Sequence, residues 1–216
     1  MGIETSSSPP NPLPGGEEIS REIGKVVGSN DHSDYIVQVH APGEVETPPS
    51  PADRAFGQFV EIAVDERYRL IGVIYTTQLV NPAYGTLGPR LSTSEEIPVF
   101  SPDYLAETAT LLGIAIVGTA GRDQNGLTWN QQTASLAADL DAPVRRLSRT
   151  DFLAFHRPAG HVQVAYFPRL LARPFPGLPD LLCSILDQLI AAFPDEAARL
   201  SVARQNIRWR ATIPAR

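Results

Sequence analysis

The chain has 216 residues, of which 43% are hydrophobic and 19% are charged, and its formal net charge at pH 7 is −6. This length allows one good-sized domain, or a small barrel with an appendage, with a buried core in either case. No apolar run approaches the roughly 18–20 residues of a membrane span, and the first residues lack the basic and apolar segments of a signal peptide. The chain has one cysteine, which cannot form an internal disulfide, so we expect a cytoplasmic protein.

The basic residues exclude several classes of enzyme. One lysine, Lys25, accompanies seventeen arginines. A phosphate-binding P-loop needs Gly-Lys followed by Ser or Thr, whereas Val26 follows Lys25 here. Schiff-base and pyridoxal-phosphate chemistry also need an amine, for which Lys25 is the only candidate. The sequence therefore predicts no ATPase activity in this chain and no cofactor.

Charge is distributed unevenly along the chain. Residues 1–108 contain 16 acidic and 6 basic residues, whereas residues 109–216 contain 8 acidic and 12 basic residues. This asymmetry indicates that the acidic N-terminal half and the Arg-rich C-terminal half contact different partners. The alternative is that the arginines only solvate helices.

The first half of the chain is typical of short β-strands. Residues 1–18, rich in Ser, Pro and Gly, predict a disordered tail. In the segment 35–40, Tyr35, Val37 and Val39 share one face of a strand, and Ile36, Gln38 and His40 share the other. The predicted strands are 23–28, 35–40, 57–64 and 70–77, with a turn at 29–34, a proline-rich loop at 42–53 and a hairpin connection at 65–69.

Residues 79–104 interrupt the strand pattern with several Gly and Pro residues. A loop of this length inside a compact domain is usually functional or disordered, and its apolar residues argue against disorder. Two interpretations of this loop are possible: it docks onto a partner, or it forms a lid over the end of the barrel. The residues predicted to bind a partner are Tyr84, Leu87, Arg90, Leu91, Phe100 and Tyr104.

The second half changes from strands to helices. Expected elements are a buried strand at 111–119, a weak hairpin within 121–132, strands at 144–147 and 162–167, a helix from Ser148 through His156, and helices beginning at Pro179 and Pro194. Strands first and helices last predict an α+β fold. Its parts are a small closed antiparallel β-barrel of about six strands at 19–147 and a mainly helical docking region at 148–216.

The candidates for catalysis are few. His156 and His161 are separated by Pro158 and Gly160, so they cannot share a helix face as zinc ligands do. Cys183 lies in an apolar helical segment and is interpreted as a small buried hydrophobe. No nucleophile elbow or dinucleotide fingerprint is present. We therefore predict no catalytic residue and no metal; a hydrolase that uses His156 or His161 is the minor alternative.

The C-terminal third carries an Arg-rich group with an aromatic residue. The residues predicted to contact DNA or an acidic partner are Arg145, Arg146, Arg204, Arg208, Trp209 and Arg210. Arg is the better phosphate ligand because its planar group binds bidentately. The sequence pI of about 5.2 instead favours a protein partner, because autonomous nucleic-acid binders usually have a strongly basic domain.

Three strand segments carry a resemblance to a known family: 23–29 (IGKVVGS), 57–62 (GQFVEI) and 70–74 (LIGVI). Together they resemble a HAS barrel, the small β-barrel at the N-termini of HerA-type DNA-translocating ATPases and of rotary ATP synthase subunits. In that family a Gly-x-x-Val pattern opens the barrel, and strands of the types Gly-x-Phe-Val and hydrophobic-Gly-x-Val follow. Glycines permit the sharp bends of a small closed barrel. The resemblance covers roughly residues 20–147.

Residues 101–105 and the segment from Phe155 onward also resemble stand-alone HAS-barrel proteins. The resemblance implies a non-catalytic adaptor that supplies its barrel in trans to a hexameric HerA-like ATPase. It further implies a ring-forming or hetero-oligomeric assembly without membrane contact, linked to a NurA-type nuclease in DNA end processing or repair. DNA contact would then be indirect. The alternative is a barrel that binds DNA directly through its Arg-rich C-terminal helices.

Overall fold

The computed structural model describes residues 20–81, 108–124, 126–173 and 175–212. Within them, the strands are β1 (Glu22–Asp31), β2 (Asp34–Val39), β3 (Phe59–Ala63), β4 (Tyr68–Val80), β5 (Ala109–Asp123), β6 (Gly126–Asn130) and β7 (Pro143–Arg146). The α-helices are α1 (Arg149–His156), α2 (Phe167–Leu171), α3 (Leu178–Ala192) and α4 (Ala197–Thr212). In these ranges, no helix is both long and apolar enough to cross a membrane. The predicted tail, and the predicted loop beyond residue 81, lie outside the described residues.

The strands form a closed antiparallel barrel. Their order in the sheet is β2-β1-β7-β3-β4-β5-β6, and β5 also pairs with β2. That pairing closes a ring of six strands, which confirms the predicted small barrel of about six strands. On the side opposite β4, residues 111–115 of β5 pair with β2 and residues 119–123 pair with β6. The hairpin predicted within 121–132 is therefore present, and β6 extends the sheet beyond the ring.

Two short segments of the ring, β7 and the β1–β2 turn, can be compared with the prediction. β7 lies between β1 and β3, where Val144 pairs with Gly24 on one side and with Ile62 on the other, so the predicted strand at 144–147 does close the sheet. The turn between β1 and β2 is shorter than the predicted turn at 29–34. β1 continues to Asp31, which faces Asp34, because the polar side chains of this segment bond across the hairpin while its backbone stays extended.

The barrel interior is filled with apolar side chains from the strands of the ring. The buried cluster comprises Ile23, Val26, Tyr35, Val37, Val39, Val60, Ile62, Leu70, Ile74, Leu112, Ile114, Ile116, Ala134, Ala142 and Val144. The predicted inward face of β2 is confirmed, since Tyr35, Val37 and Val39 are buried and the residues between them are less so. Alternate residues point to opposite sides of a strand, and this places one set from each strand inside the ring.

The outer face of β3, β4 and β5 is also apolar, and the helices cover it. Phe59, Ile71 and Val117 belong to a second buried cluster that includes side chains of all four helices. α3 contributes most to it, through the helically spaced Leu181, Leu182, Ile185, Leu186 and Leu189. The helical region therefore packs directly onto the barrel wall.

The ends of the helices follow local chemistry. Ser148 caps α1, since its Oγ accepts a hydrogen bond from the Asp151 amide at 3.1 Å. α4 follows a 3-10 turn at Pro194–Glu196. Both agree with the helices predicted from Ser148 and Pro194.

The predicted strand at 162–167 is wrong. Its valines and aromatic residues favour a strand, but the Ala165 amide donates to the Gln131 side chain at 2.7 Å instead of to a neighbouring strand. The Phe167 amide donates to the Val164 carbonyl at 3.0 Å and forms a turn, after which α2 begins. Pro168 in its first turn fits a helix start, where no amide donor is needed.

We predict that Gly24→Ala destabilises the barrel far more than Gly28→Ala on the same strand. A Cβ at Gly24 would lie 2.1 Å from the Gln38 carbonyl oxygen, whereas no described atom lies within 4 Å of a Cβ at Gly28. Overpacking against backbone typically costs about 1–3 kcal/mol. Urea unfolding of the two variants measures the difference, and equal free energies of unfolding would contradict this account of the barrel bend.

Candidate functional site

The six residues predicted to contact DNA or an acidic partner lie on two separate elements. Arg145 and Arg146 belong to β7, within the barrel sheet between β1 and β3. The other four, Arg204, Arg208, Trp209 and Arg210, belong to α4, which packs against α3. The structure therefore brings four of the six together on one helix. The predicted loop residues from Tyr84 to Tyr104 lie outside the described residues.

Arg146 is part of a buried polar cluster on the barrel wall. Its Nη1 donates to Asp53 Oδ1 at 3.2 Å, and Arg21 Nη1 donates to Asp53 Oδ2 at 3.0 Å. The Ser50 hydroxyl and amide also donate to Asp53, which is 5% exposed. Burial raises the pKa of Asp53, but these hydrogen bonds outweigh it and hold the pKa below its ordinary value. Arg146 thus supports a buried carboxylate.

Neighbouring pairs repeat this arrangement. Arg69 Nη1 donates to Glu61 Oε2 at 2.5 Å, and Glu61 is 6% exposed. Arg145 Nη2 lies 3.5 Å from Glu22 Oε2. Because a buried carboxylate without a partner is costly, the arginines of this wall have a structural role that the sequence pattern did not reveal.

The side of α4 that faces away from the core forms an exposed stripe that is apolar except for one glutamine. We call this stripe, made of Ala198, Val202, Gln205 and Trp209, the α4 outer face. Its residues are spaced by three or four positions and therefore share one side of the helix. Val202 is 60% exposed and Trp209 is 65% exposed. The opposite side of α4 carries Leu200, which is buried in the helix–barrel cluster.

The charge of α4 is entirely positive. Its sequence contains Arg199, Arg204, Arg208 and Arg210 and no acidic residue. Arg204 forms an ion pair with Asp187 of α3, with Nε and Oδ1 2.8 Å apart, and Arg199 pairs with Glu196 at the helix start. Arg208 and Arg210 have exposed side chains beside Trp209. Tryptophan and arginine are the residues most enriched among binding hot spots, so this end of α4 is the candidate interaction site.

The histidines of the hydrolase alternative have different environments. His156 is fully buried. Its Nδ1 lies 2.9 Å from the Phe152 carbonyl oxygen, and its Nε2 lies 2.9 Å from the Tyr166 hydroxyl. Since a carbonyl only accepts, Nδ1 carries the proton and Nε2 accepts from Tyr166. His161 is exposed and contacts Gln163. The two histidines thus form no common site.

Burial lowers the pKa of His156 to about 4, although the hydrogen bond to the Phe152 carbonyl acts in the opposite direction.

Cys183, expected to be buried, is partly exposed. Burial of part of the side chain raises the pKa of its thiol. Among the described residues, no group of three His, Cys, Asp or Glu side chains could hold a metal ion.

A second polar group links the β1–β2 hairpin to the segment after α2. Arg173 Nη2 donates to Asp31 Oδ2 at 2.8 Å and to Asp34 Oδ2 at 3.1 Å. The Tyr75 hydroxyl donates to Asp34 Oδ1 at 2.9 Å. Sequence reasoning missed this group, since Asp34 and Arg173 are 139 positions apart and no local motif connects them.

Together, the fold and these sites define a closed β-barrel with a helical layer and an exposed Arg/Trp helix end. The chain belongs to the family described as "Domain of unknown function (DUF8166)", whose model matches residues 15–215. No curated protein matches it. The family match spans the barrel and the helices, so both parts belong to the family's common unit.

We predict that the neutral state of His156 makes the protein less stable as the pH falls. In the unfolded chain the ordinary pKa is 6.5, and in the folded protein it is about 4. Between these values the unfolded chain binds a proton that the folded protein does not, so the free energy of unfolding decreases by up to about 1.4 kcal/mol per pH unit. Urea unfolding from pH 7 to pH 5 measures this slope.

Two variants serve as controls for this measurement. The double variant His156→Leu/Tyr166→Phe removes both partners of the buried hydrogen bond and should flatten the slope above pH 5. His161→Gln changes an exposed histidine and should leave the slope as it is. Nitrogen NMR at pH 6 should also show a neutral ring protonated at Nδ1; a charged ring would refute the assignment.

Proposed function

We propose that this protein is a non-catalytic assembly subunit that supplies a HAS-like barrel in trans to a hexameric HerA-like DNA-translocating ATPase. The observation that carries the proposal is a closed six-stranded barrel bearing a helix that exposes Val202 and Trp209 between arginines. In this proposal the assembly acts in the cytoplasm, together with a NurA-type nuclease, in DNA end processing or repair.

The positions of the motif glycines support the barrel part of the proposal. Gly24, from the Gly-x-x-Val pattern, lies on β1 where its backbone approaches β2. Gly72, from the hydrophobic-Gly-x-Val pattern, lies on β4, and a Cβ there would meet the Ile114 side chain at 2.4 Å. Both glycines thus occur where strands of a narrow ring come close together, which is the physical role that the HAS-barrel resemblance implies.

The buried polar groups support a non-catalytic role. Asp53 and Glu61 accept from arginines on the barrel wall, and His156 is enclosed by aromatic rings. Gln131 is 6% exposed and bonds to backbone groups of three residues. These groups are buried and bonded to structural partners, which favours a structural role over that of a nucleophile or base.

The α4 outer face supports a docking role. An exposed tryptophan supplies a large apolar contact with few rotatable bonds, and the adjacent Arg208 and Arg210 favour an acidic neighbour. The complementary surface on the ATPase would therefore be an apolar groove with acidic rims. Because the arginines of β7 pair with carboxylates of this same chain, α4 is the preferred contact over the barrel wall.

We expect Trp209→Ala to weaken binding to the purified HerA-like ATPase of the same organism by about 30-fold or more. This follows from the loss of about 2 kcal/mol that is usual when a hot-spot tryptophan is truncated. Analytical ultracentrifugation and calorimetry of the full-length chains measure the affinity. Leu140→Ala is the matched control, since Leu140 is 68% exposed on the barrel side of the chain, and it should bind like the unaltered protein.

Two outcomes would count against the proposal. Failure of the unaltered protein to bind the ATPase in any nucleotide state would overturn it. Binding of DNA by the protein alone, with an affinity that falls steeply as salt rises and is lost in Arg208→Glu/Arg210→Glu, would replace it by the direct DNA-binding alternative. A parallel Arg145→Gln variant tests whether the barrel arginines take part.

A further inference from the structure

A pocket of about 340 Å³ lies between the barrel wall and the segment around α2. This volume lies at the lower end of the range for small-molecule sites. Its lining residues are Asp34, Tyr75, Ala115, Leu170, Arg173 and Phe175. The residues come from three barrel strands, from α2 and from the segment that follows it, so the site depends on the complete fold and is separate from the α4 outer face.

The polar end of the pocket is a buried carboxylate with unequal oxygens. Asp34 is 6% exposed. Its Oδ2 accepts from Asn30 Nδ2 at 3.0 Å, from Arg173 Nη2 at 3.1 Å and from the Tyr75 hydroxyl at 3.2 Å. Oδ1 has one partner among the described residues, the same Tyr75 hydroxyl, at 2.9 Å. A carboxylate offers about four lone-pair positions, so Oδ1 keeps capacity for a further donor.

The charges around the pocket favour a cation. Arg173 donates through Nη2 to both Asp31 and Asp34, and through Nη1 to the Ser33 carbonyl and hydroxyl. Two carboxylates therefore surround one guanidinium whose two amino groups are both engaged. An anion would meet a net negative group in which both Nη atoms of the guanidinium are already engaged, whereas a cation would find an acceptor at Asp34.

Tyr75 adds to this preference. Its hydroxyl donates its proton to Asp34, so the hydroxyl oxygen presents lone pairs. Burial raises the pKa of Tyr75 to about 12, and the hydrogen bond to Asp34 acts in the same direction. The phenol therefore stays protonated at neutral pH, and its free lone pairs add acceptor character to the same end of the pocket.

The other wall of the pocket is apolar and aromatic. The rings of Tyr75 and Phe175 are 5.0 Å apart and tilted by 54°. Ala115 and Leu170, which are 5% and 4% exposed, complete this wall. An aromatic face attracts a cation within about 6 Å, and the aliphatic groups accept an apolar ring. The arrangement suits a compact molecule with one charged end and one apolar end.

We propose that this pocket binds a small organic cation whose ammonium or amidinium group donates to Asp34 and whose apolar body packs against Leu170 and Phe175. The inference does not depend on docking to the ATPase, because no residue of the pocket belongs to α4. It assigns a ligand class to a pocket whose lining includes the buried carboxylate of Asp34.

Benzylamine and benzamidine are suitable probes for calorimetry and for backbone NMR titration of the full chain. Benzyl alcohol and benzoate are matched neutral and anionic controls with the same ring. We expect both cations to bind at least about tenfold more tightly than benzyl alcohol, which corresponds to about 1.4 kcal/mol for one charge-assisted hydrogen bond. The largest amide shifts should fall on Asp34, Ala115 and Phe175.

Variants then separate charge from fold. Asp34→Asn keeps the shape of the side chain and removes its charge, so it should abolish the preference for cations. Phe175→Ala should weaken the cations and benzyl alcohol alike. Glu46→Gln, at an exposed acid outside the pocket, should change neither. Equal binding of benzylamine and benzyl alcohol by the unaltered protein, shifts confined to other residues, or no binding at about 10 mM ligand would each overturn the proposal.

Discussion

The apolar character of both faces of β3, β4 and β5 is the constraint on which the rest of the structure depends. On β3, Val60 and Ile62 point into the barrel while Phe59 points out, and all three are buried. Burial of one such side chain contributes about 1.5–3 kcal/mol. Without the helices, this outer face would be a large exposed apolar surface, and such surfaces promote aggregation. The helices therefore complete the barrel, and the predicted regions 19–147 and 148–216 share one hydrophobic cluster.

Two polar side chains, Gln131 and Arg169, form hydrogen bonds between the helical region and the barrel at the edge of this cluster. Gln131 Nε2 donates to the Phe155 and Gln163 carbonyls, both at 3.0 Å. Arg169 Nη2 donates to the Val117 carbonyl at 2.9 Å and to the Gln131 carbonyl at 2.8 Å, and burial lowers the pKa of Arg169. Arg169 therefore joins α2 to the backbone of β5 and to the segment that follows β6.

The sequence predicts best those elements in which apolar residues recur at a regular spacing. The alternation in β2 and the helical spacing in α3 both report which face is buried, because each element has one apolar side. The segment 162–167 contains strand-forming valines and aromatic residues, yet its amide at Ala165 bonds to a side chain from a distant part of the chain. The local sequence of the segment carries no sign of this long-range hydrogen bond. The same holds for the pocket, whose key contact joins Asp34 to Arg173.

The charge gradient of the sequence takes on a specific meaning in the structure. Acidic residues of the front half pair with arginines of the rear half, as Glu22 does with Arg145, Asp53 with Arg146, and Asp31 with Arg173. Part of the asymmetry thus reflects pairing within the molecule.

Pairs at an exposed surface contribute little to stability, whereas removing one partner of a buried carboxylate is costly. The barrel arginines are consequently held in place by the fold, and use of Arg146 by an external partner would remove one charged donor from the buried Asp53. Arg199 and Arg204 of α4 are under no such constraint from a buried acid, because Glu196 and Asp187, with which they pair, are not buried. A partner could therefore engage the end of α4 around Trp209 without disturbing the core, which is why we propose the docking site there and not on the barrel wall.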